Sequence, residues 1–142
     1  MNIKLKFKNE WLEEYKNKQG LAPAWIYLEC NNEHYPDDEW IDNPATVLGW
    51  WLYSIKELLN GNEGQGLSFM EGPFFINAKL DGDNLILDSE DGKVSWKVNA
   101  HDFANTLIKS ANETARTFYN AGLKEASENL NQGAKDLRAV LK

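Results

Sequence analysis

Cysteine is almost missing from this chain, with Cys30 the single one among 142 residues. No internal disulfide can form, so a reducing cytoplasm is the expected compartment and the disulfide-scaffold class is excluded. Long apolar runs are absent too, and none approaches the ~20 residues needed to span a bilayer. No membrane association is expected. The opening Met1-Asn2-Ile3-Lys4-Leu5-Lys6 alternates in polarity and lacks the apolar core of a signal peptide. Prolines are few and scattered, at 23, 36, 44 and 73, and there are two histidines. Internal repeats, low-complexity tracts and Pro/Gly/Ser linkers are lacking, so residues 1–142 are expected to form a single domain. A domain of this length buries ~70% of its unfolded surface and needs no metal or disulfide to hold a core. Hydrophobic residues at 42% and charged residues at 26% exclude disorder and collagen.

What is present in excess is negative charge, and it is unevenly placed. The formal net charge is -7. Residues 1–28 carry five lysines against three acids, a net +2. Residues 29–92 carry fourteen acids against Lys56 and Lys79 alone, a net -12. Residues 93–142 return to +3, with eight basic residues and five acids. An acidic middle disfavours nucleic acid and anionic lipid, both of which need clustered Lys and Arg. It either favours a basic partner or serves solubility alone.

Periodicity supplies the elements. Ile3, Leu5 and Phe7 alternate with Lys4, Lys6 and Lys8, the pattern of a half-buried strand whose lysines suit a sheet edge. Asn9 then caps a short helix carrying Trp11, Leu12 and Tyr15, and Gly20 and Pro23 punctuate the chain. Residues 24–30 are apolar on both faces and predict a central strand. Residues 31–43 read as a polar loop. Pro44, with Asp42 or Asn43 as cap, opens a helix over 44–59 in which Leu48, Trp51, Leu52, Ile55, Leu58 and Leu59 follow helical spacing. Trp51 is expected to face the sheet and Trp50 the flank, because adjacent helical residues point ~100° apart. Asn60-Gly61 stops that helix. Four short strands follow, at 67–70, 74–80, 85–88 and 94–98, separated by Gly-Pro and Asp-Gly turns. Asn99 caps a helical last third that Gly122 interrupts. The fold class is therefore α+β: an antiparallel meander of short strands with helices packed on it.

Chemistry-bearing motifs are sparse. Cys30 and His34 lie four apart, but Cys30 sits in an apolar strand and there is no G-x-S-x-G elbow. Zinc signatures are lacking, and the Asp81-Gly82-Asp83 and Asp88-Ser89-Glu90-Asp91-Gly92 segments miss the calcium-loop pattern. The glycine-rich 61–66 segment contains an acid and no following lysine, so it is no phosphate cradle. No metal and no cofactor are expected. Carboxylates at Glu33, Asp37, Asp38, Glu39 and Asp42, beside Trp40, supply the residue types of a glycosidase-like hydrolase. The same stretch reads equally as a binding loop rich in aromatic and acidic residues, with Trp40 and Ile41 either at the interface or plugging the core.

The order Tyr35-Pro36, Trp40-Ile41-Asp42 and Val47-Leu48-Gly49-Trp50-Trp51 resembles small bacterial immunity proteins of contact-dependent growth inhibition and related polymorphic toxin systems. The resemblance covers residues 34–52 and transfers no site pattern position by position. It implies a cytoplasmic protein, not an enzyme, that binds one cognate toxin domain and blocks it. Many such toxins are nucleases with basic grooves, which the -12 of the middle segment complements. The expected partner-binding residues are Glu33, Asp37, Asp38, Glu39, Trp40 and Asp42 in the loop, with Asp81, Asp83, Glu90 and Asp91 in the hairpin turns. A small hydrolase and a non-catalytic adaptor are the competing expectations, and the sequence specifies no oligomeric state.

Overall fold

The computed structural model describes residues 1–15 and 22–141, which puts Gly20 outside the described residues. The alternating N-terminal segment is strand β1 (Asn2–Lys6), with Ile3 and Leu5 turned toward the interior and Asn2, Lys4 and Lys6 exposed. After the one-sided helix α1 (Asn9–Tyr15), strand β2 (Ala24–Cys30) pairs antiparallel with β1 and buries every second residue from Ala24 to Cys30 completely or nearly so. The central position expected for β2 is observed. Its other edge is occupied end to end by β3 (Glu33–Tyr35) and β4 (Ile41–Asp42), both antiparallel to it.

Those two strands correct the expectation of a polar loop over 31–43. Asn31 and Asn32, at φ 52° and 63°, form a two-residue turn that folds β3 straight back onto β2. Asparagine tolerates the left-handed region, so Asn-Asn works here as a tight hairpin turn. Three- and two-residue strands are too short to produce a legible alternation. The cis Tyr35-Pro36 bond lies between them.

Helix α2 (Pro44–Leu59) has proline in its first turn and Asn43 as its cap, whose side chain accepts from the Thr46 N–H. Val47, Leu48, Trp51, Leu52, Ile55 and Leu58 are buried along one stripe, while Trp50 is 45% exposed. The Trp51 indole donates to the Ser68 carbonyl at 2.8 Å, which satisfies the one polar atom of a fully buried ring.

The meander follows as β5 (Gly66–Ser68), β6 (Phe75–Asp81), β7 (Asn84–Ser89) and β8 (Ser95–Asn99), an antiparallel sheet in sequential order. Two four-stranded antiparallel sheets are thus present where one was expected, and the α+β class stands. Asn99 caps α3 (Ala100–Asn120) by accepting from the Asp102 N–H at 2.9 Å. The chain turns at Gly122, φ 87°, into α4 (Lys124–Val140), and Ser127 ties the two helices by donating to the Ala115 carbonyl. One buried apolar cluster runs from Ile26 and Leu28 through Trp51 and Leu52 to Ile76, Leu87 and Trp96, and on to Phe103, Phe118 and Leu137.

Candidate functional site

The acids of the middle segment were expected to make one surface, and the fold sorts them into distinct environments. Eleven of the fourteen in residues 29–92 are exposed, Glu29 and Glu57 are intermediate, and Asp42 alone is buried.

Asp42 is a correction. Its inward-facing place in β4 leaves it 1% exposed, out of reach of any partner. One oxygen accepts from the Trp40 indole at 2.9 Å, the Met70 N–H at 3.0 Å and the Glu71 N–H at 3.2 Å. The other accepts from the Asn43 N–H at 2.7 Å. Four donors surround a carboxylate that would otherwise be costly to bury. The group is a structural hub that fixes the entry to α2 against the 69–72 turn. Trp40 belongs to the same hub: it is half-buried and packs edge-on against Phe69 and Phe74. Its neighbour Ile41, on the opposite face of the strand, is 41% exposed.

Glu33 and Asp91 each accept a hydrogen bond that crosses from one sheet to the other. The Trp96 indole of β8 donates to Glu33 of β3 at 3.0 Å, and the buried Tyr35 hydroxyl of β3 donates to Asp91 after β7 at 3.2 Å. Asp91 also accepts from the Lys93 N–H at 3.1 Å. Partial burial pushes the Asp91 carboxyl upward, but hydrogen bonds from Lys93, Ser89 and Tyr35 outweigh it and hold the group below its ordinary value. Burial, reinforced by the Asp91 charge, pushes the Tyr35 phenol up to about 12. Glu90 sits beside Asp91, exposed, its N–H bonded to the Phe75 carbonyl at 2.9 Å.

The remaining acids stand apart. Asp37 accepts from the Glu39 N–H at 2.8 Å, closing a local turn that holds Asp37, Asp38 and Glu39 in solvent. Asp38 borders a shallow depression of about 370 Å³ whose other walls are Lys4, Leu5, Lys6, Trp25 and Tyr27. Asp81 and Asp83 lie at the opposite end of β7 from Glu90 and Asp91. Six strand residues separate the pairs by about 20 Å. Asp81 reaches Lys97 at 4.0 Å, and both are largely exposed.

Sequence reasoning overlooked Tyr35 and Trp96, the donors that orient Asp91 and Glu33. Neither has a local signal, because each partner lies more than fifty positions away. The Cys30–His34 pair resolves differently: Cys30 is buried in β2, and His34 Nε2 lies 2.9 Å from Glu29 Oε2. That hydrogen bond leads the causes that lower the Glu29 pKa. Among the described residues no three His, Cys, Asp or Glu side chains are grouped to hold a metal ion, and no helix is long and apolar enough to cross a membrane. Compared with known protein families, with curated proteins and with solved structures, the chain matches none.

Proposed function

We propose that the protein is a non-catalytic immunity protein that binds a basic toxin domain, of the nuclease kind, through its acidic surface and masks the toxin's active site. The observation that carries this reading is the nature of the groups holding the acids. Glu33 and Asp91 are fixed by an indole, a phenol and a main-chain N–H, and Asp37 by a main-chain N–H. Neutral donors orient a carboxylate without cancelling its charge. The result is two acidic patches that keep their negative charge: Glu33 with Glu90 and Asp91 and, apart from them, Asp37 to Glu39. That charge speeds encounter with a basic groove and selects against acidic partners. Asp42 drops out of the binding set and Trp40 supports it from within, leaving Glu33, Asp37, Asp38, Glu39, Glu90 and Asp91 as its main part.

The hydrolase alternative lacks comparable support. Glu33, Asp37, Asp38 and Glu39 are exposed, so none occupies the apolar pocket that a general acid with a raised pKa requires. Asp42 is already engaged by four donors.

The test is co-purification of the full chain with the toxin domain encoded beside it, at low and high salt, with toxin activity assayed in parallel. A complex that forms at low salt, silences the toxin and weakens about tenfold or more on the combined changes Asp37→Lys, Asp38→Lys and Glu90→Lys supports the reading. An active toxin beside the intact chain, with no complex at low salt, overturns it.

A further inference from the structure

A second surface lies away from the acidic loop, on the flank of β6. Strand β5 has three residues and β6 has seven, so β5 cannot cover its neighbour. Their register ends at Gly66 opposite Asn77, and one bond beyond it, from the Ala78 N–H to the Gln65 carbonyl, closes the pairing. The other edge of β6 fixes which main-chain groups point where. The Phe75 carbonyl accepts from Glu90 N–H, and the register continues through Asn77–Asp88, Lys79–Ile86 and Asp81–Asn84. Antiparallel alternation therefore turns the main chains of Phe75, Asn77, Lys79 and Asp81 toward β7 and those of Ile76, Ala78 and Leu80 the opposite way. Leu80 N–H and C=O face a flank where no strand lies among the described residues.

That flank opens onto a cavity of about 570 Å³, where Leu58, Ala78 and Leu80 supply apolar wall and Glu63, Gln65 and Lys79 supply polar rim. An unpaired strand edge beside a hollow with an apolar wall is a template for strand addition unless charge, proline or a bulge blocks it. Lys79 and Asp81, the latter 4.0 Å from Lys97, are exposed on the strand face opposite Ala78. Their opposite signs select a partner of complementary charge order, where two like charges would repel any strand.

We propose that this edge docks an extended peptide segment of a partner, antiparallel to β6, with a basic–apolar–acidic triplet. The central residue exchanges main-chain hydrogen bonds with Leu80 and places its side chain over Leu58. The basic residue then lies opposite Asp81 and the acidic one opposite Lys79, since directly opposed residues share a face. This docking edge stands independently of the immunity reading.

The test uses the full chain, 15N-labelled, titrated with the pentapeptide acetyl-Ala-Lys-Val-Asp-Ala-amide and with its charge-transposed form, acetyl-Ala-Asp-Val-Lys-Ala-amide. The Leu80 amide should exchange rapidly in the free chain and gain at least tenfold protection near saturation with the first peptide. The Lys79 and Asp81 amides, already bonded to β7, should keep their protection. The transposed peptide should bind about fivefold more weakly, and the exposed double variant Lys79→Asp/Asp81→Lys should reverse that preference. A Leu80 amide protected before peptide is added, or one that neither peptide shifts, overturns the proposal. So does a peptide preference that the double variant leaves unchanged, or one that favours the transposed peptide on the native chain.

Discussion

Replacing Asp42 by alanine is the sharpest perturbation of this fold. The substitution removes the acceptor for four donors: the Trp40 indole and the N–H groups of Asn43, Met70 and Glu71. Hydrogen bonds to an ionised group contribute about 1.5–3 kcal/mol each, and an abandoned buried donor costs about 1–3 kcal/mol. Three of the four donors lie at part-buried positions, where water entering the space recovers some of that loss. A figure of about 1 kcal/mol per donor gives a destabilisation of about 4 kcal/mol for Asp42→Ala. For a chain of this size that is a fall in Tm of roughly 12 °C. Asp42→Asn keeps one acceptor oxygen and should cost about half as much. Urea unfolding followed by tryptophan fluorescence measures both, with Asp38→Ala as an exposed control that should stay within about 0.5 kcal/mol. If Asp42→Ala loses less than 1 kcal/mol, or no more than the control, the hub does not anchor α2 and the reasoning fails.

Burial of Tyr35 beside the Asp91 charge, and the bonds that Asp91 accepts from Lys93, Ser89 and Tyr35, make stability depend on pH at both extremes. With its pKa raised to about 12, neutral Tyr35 contributes stability that is fully present below pH 10 and lost as pH rises from 10 toward 12. Tyr35→Phe should therefore flatten the alkaline limb of a stability-against-pH curve measured by urea midpoints. Asp91 is held below its ordinary value of 3.8, so its contribution is present above that pH and disappears on further acidification. Asp91→Asn should show a shallower acid limb, and an unchanged slope would count against the hydrogen bonds from Lys93, Ser89 and Tyr35 that hold the carboxylate. At Gly66 an added Cβ would run into the Phe75 ring and the Ile76 carbonyl, so Gly66→Ala should destabilise by about 2–4 kcal/mol in thermal melts. At Gly49, inside α2, an added methyl meets open space and should stabilise by about 0.5–1 kcal/mol. Thr114 is fully buried and its hydroxyl has no hydrogen-bond partner among the described residues. Thr114→Val should accordingly stabilise the fold by about 1 kcal/mol, read as a higher urea midpoint; a loss of that size would mean the hydroxyl is satisfied.

Much of this architecture is legible in the sequence wherever a period can repeat. The 44–59 helix shows its stripe over four turns, and Pro44 and Asn60-Gly61 mark its ends within a residue of those observed. The Asp-Gly turns locate β6, β7 and β8 in the same way. Strands β3 and β4 escape notice because two or three residues carry no period, and only a pair of asparagines signals the turn between β2 and β3. The division into two sheets is hidden for a related reason: the same alternation serves either arrangement, and partners are chosen by contacts distant in sequence. Acid placement is the least legible feature. Asp42 and Asp38 are identical side chains four positions apart, yet one is an interior hub and the other a surface charge. Pairing of β4 with Ala24 and Trp25 of β2 turns Asp42 inward, whereas Asp38 lies in the solvent-exposed turn that precedes the strand.

Glu33 and Asp91 also bear on the entropy of binding. Each is held by a side chain from the opposite sheet, so folding itself has already selected its rotamer. A flexible surface acid gives up about 0.5–1.5 kcal/mol of conformational freedom when a partner immobilises it. These two have little such freedom left to lose, so their contribution to any complex is reduced mainly by desolvation rather than by ordering.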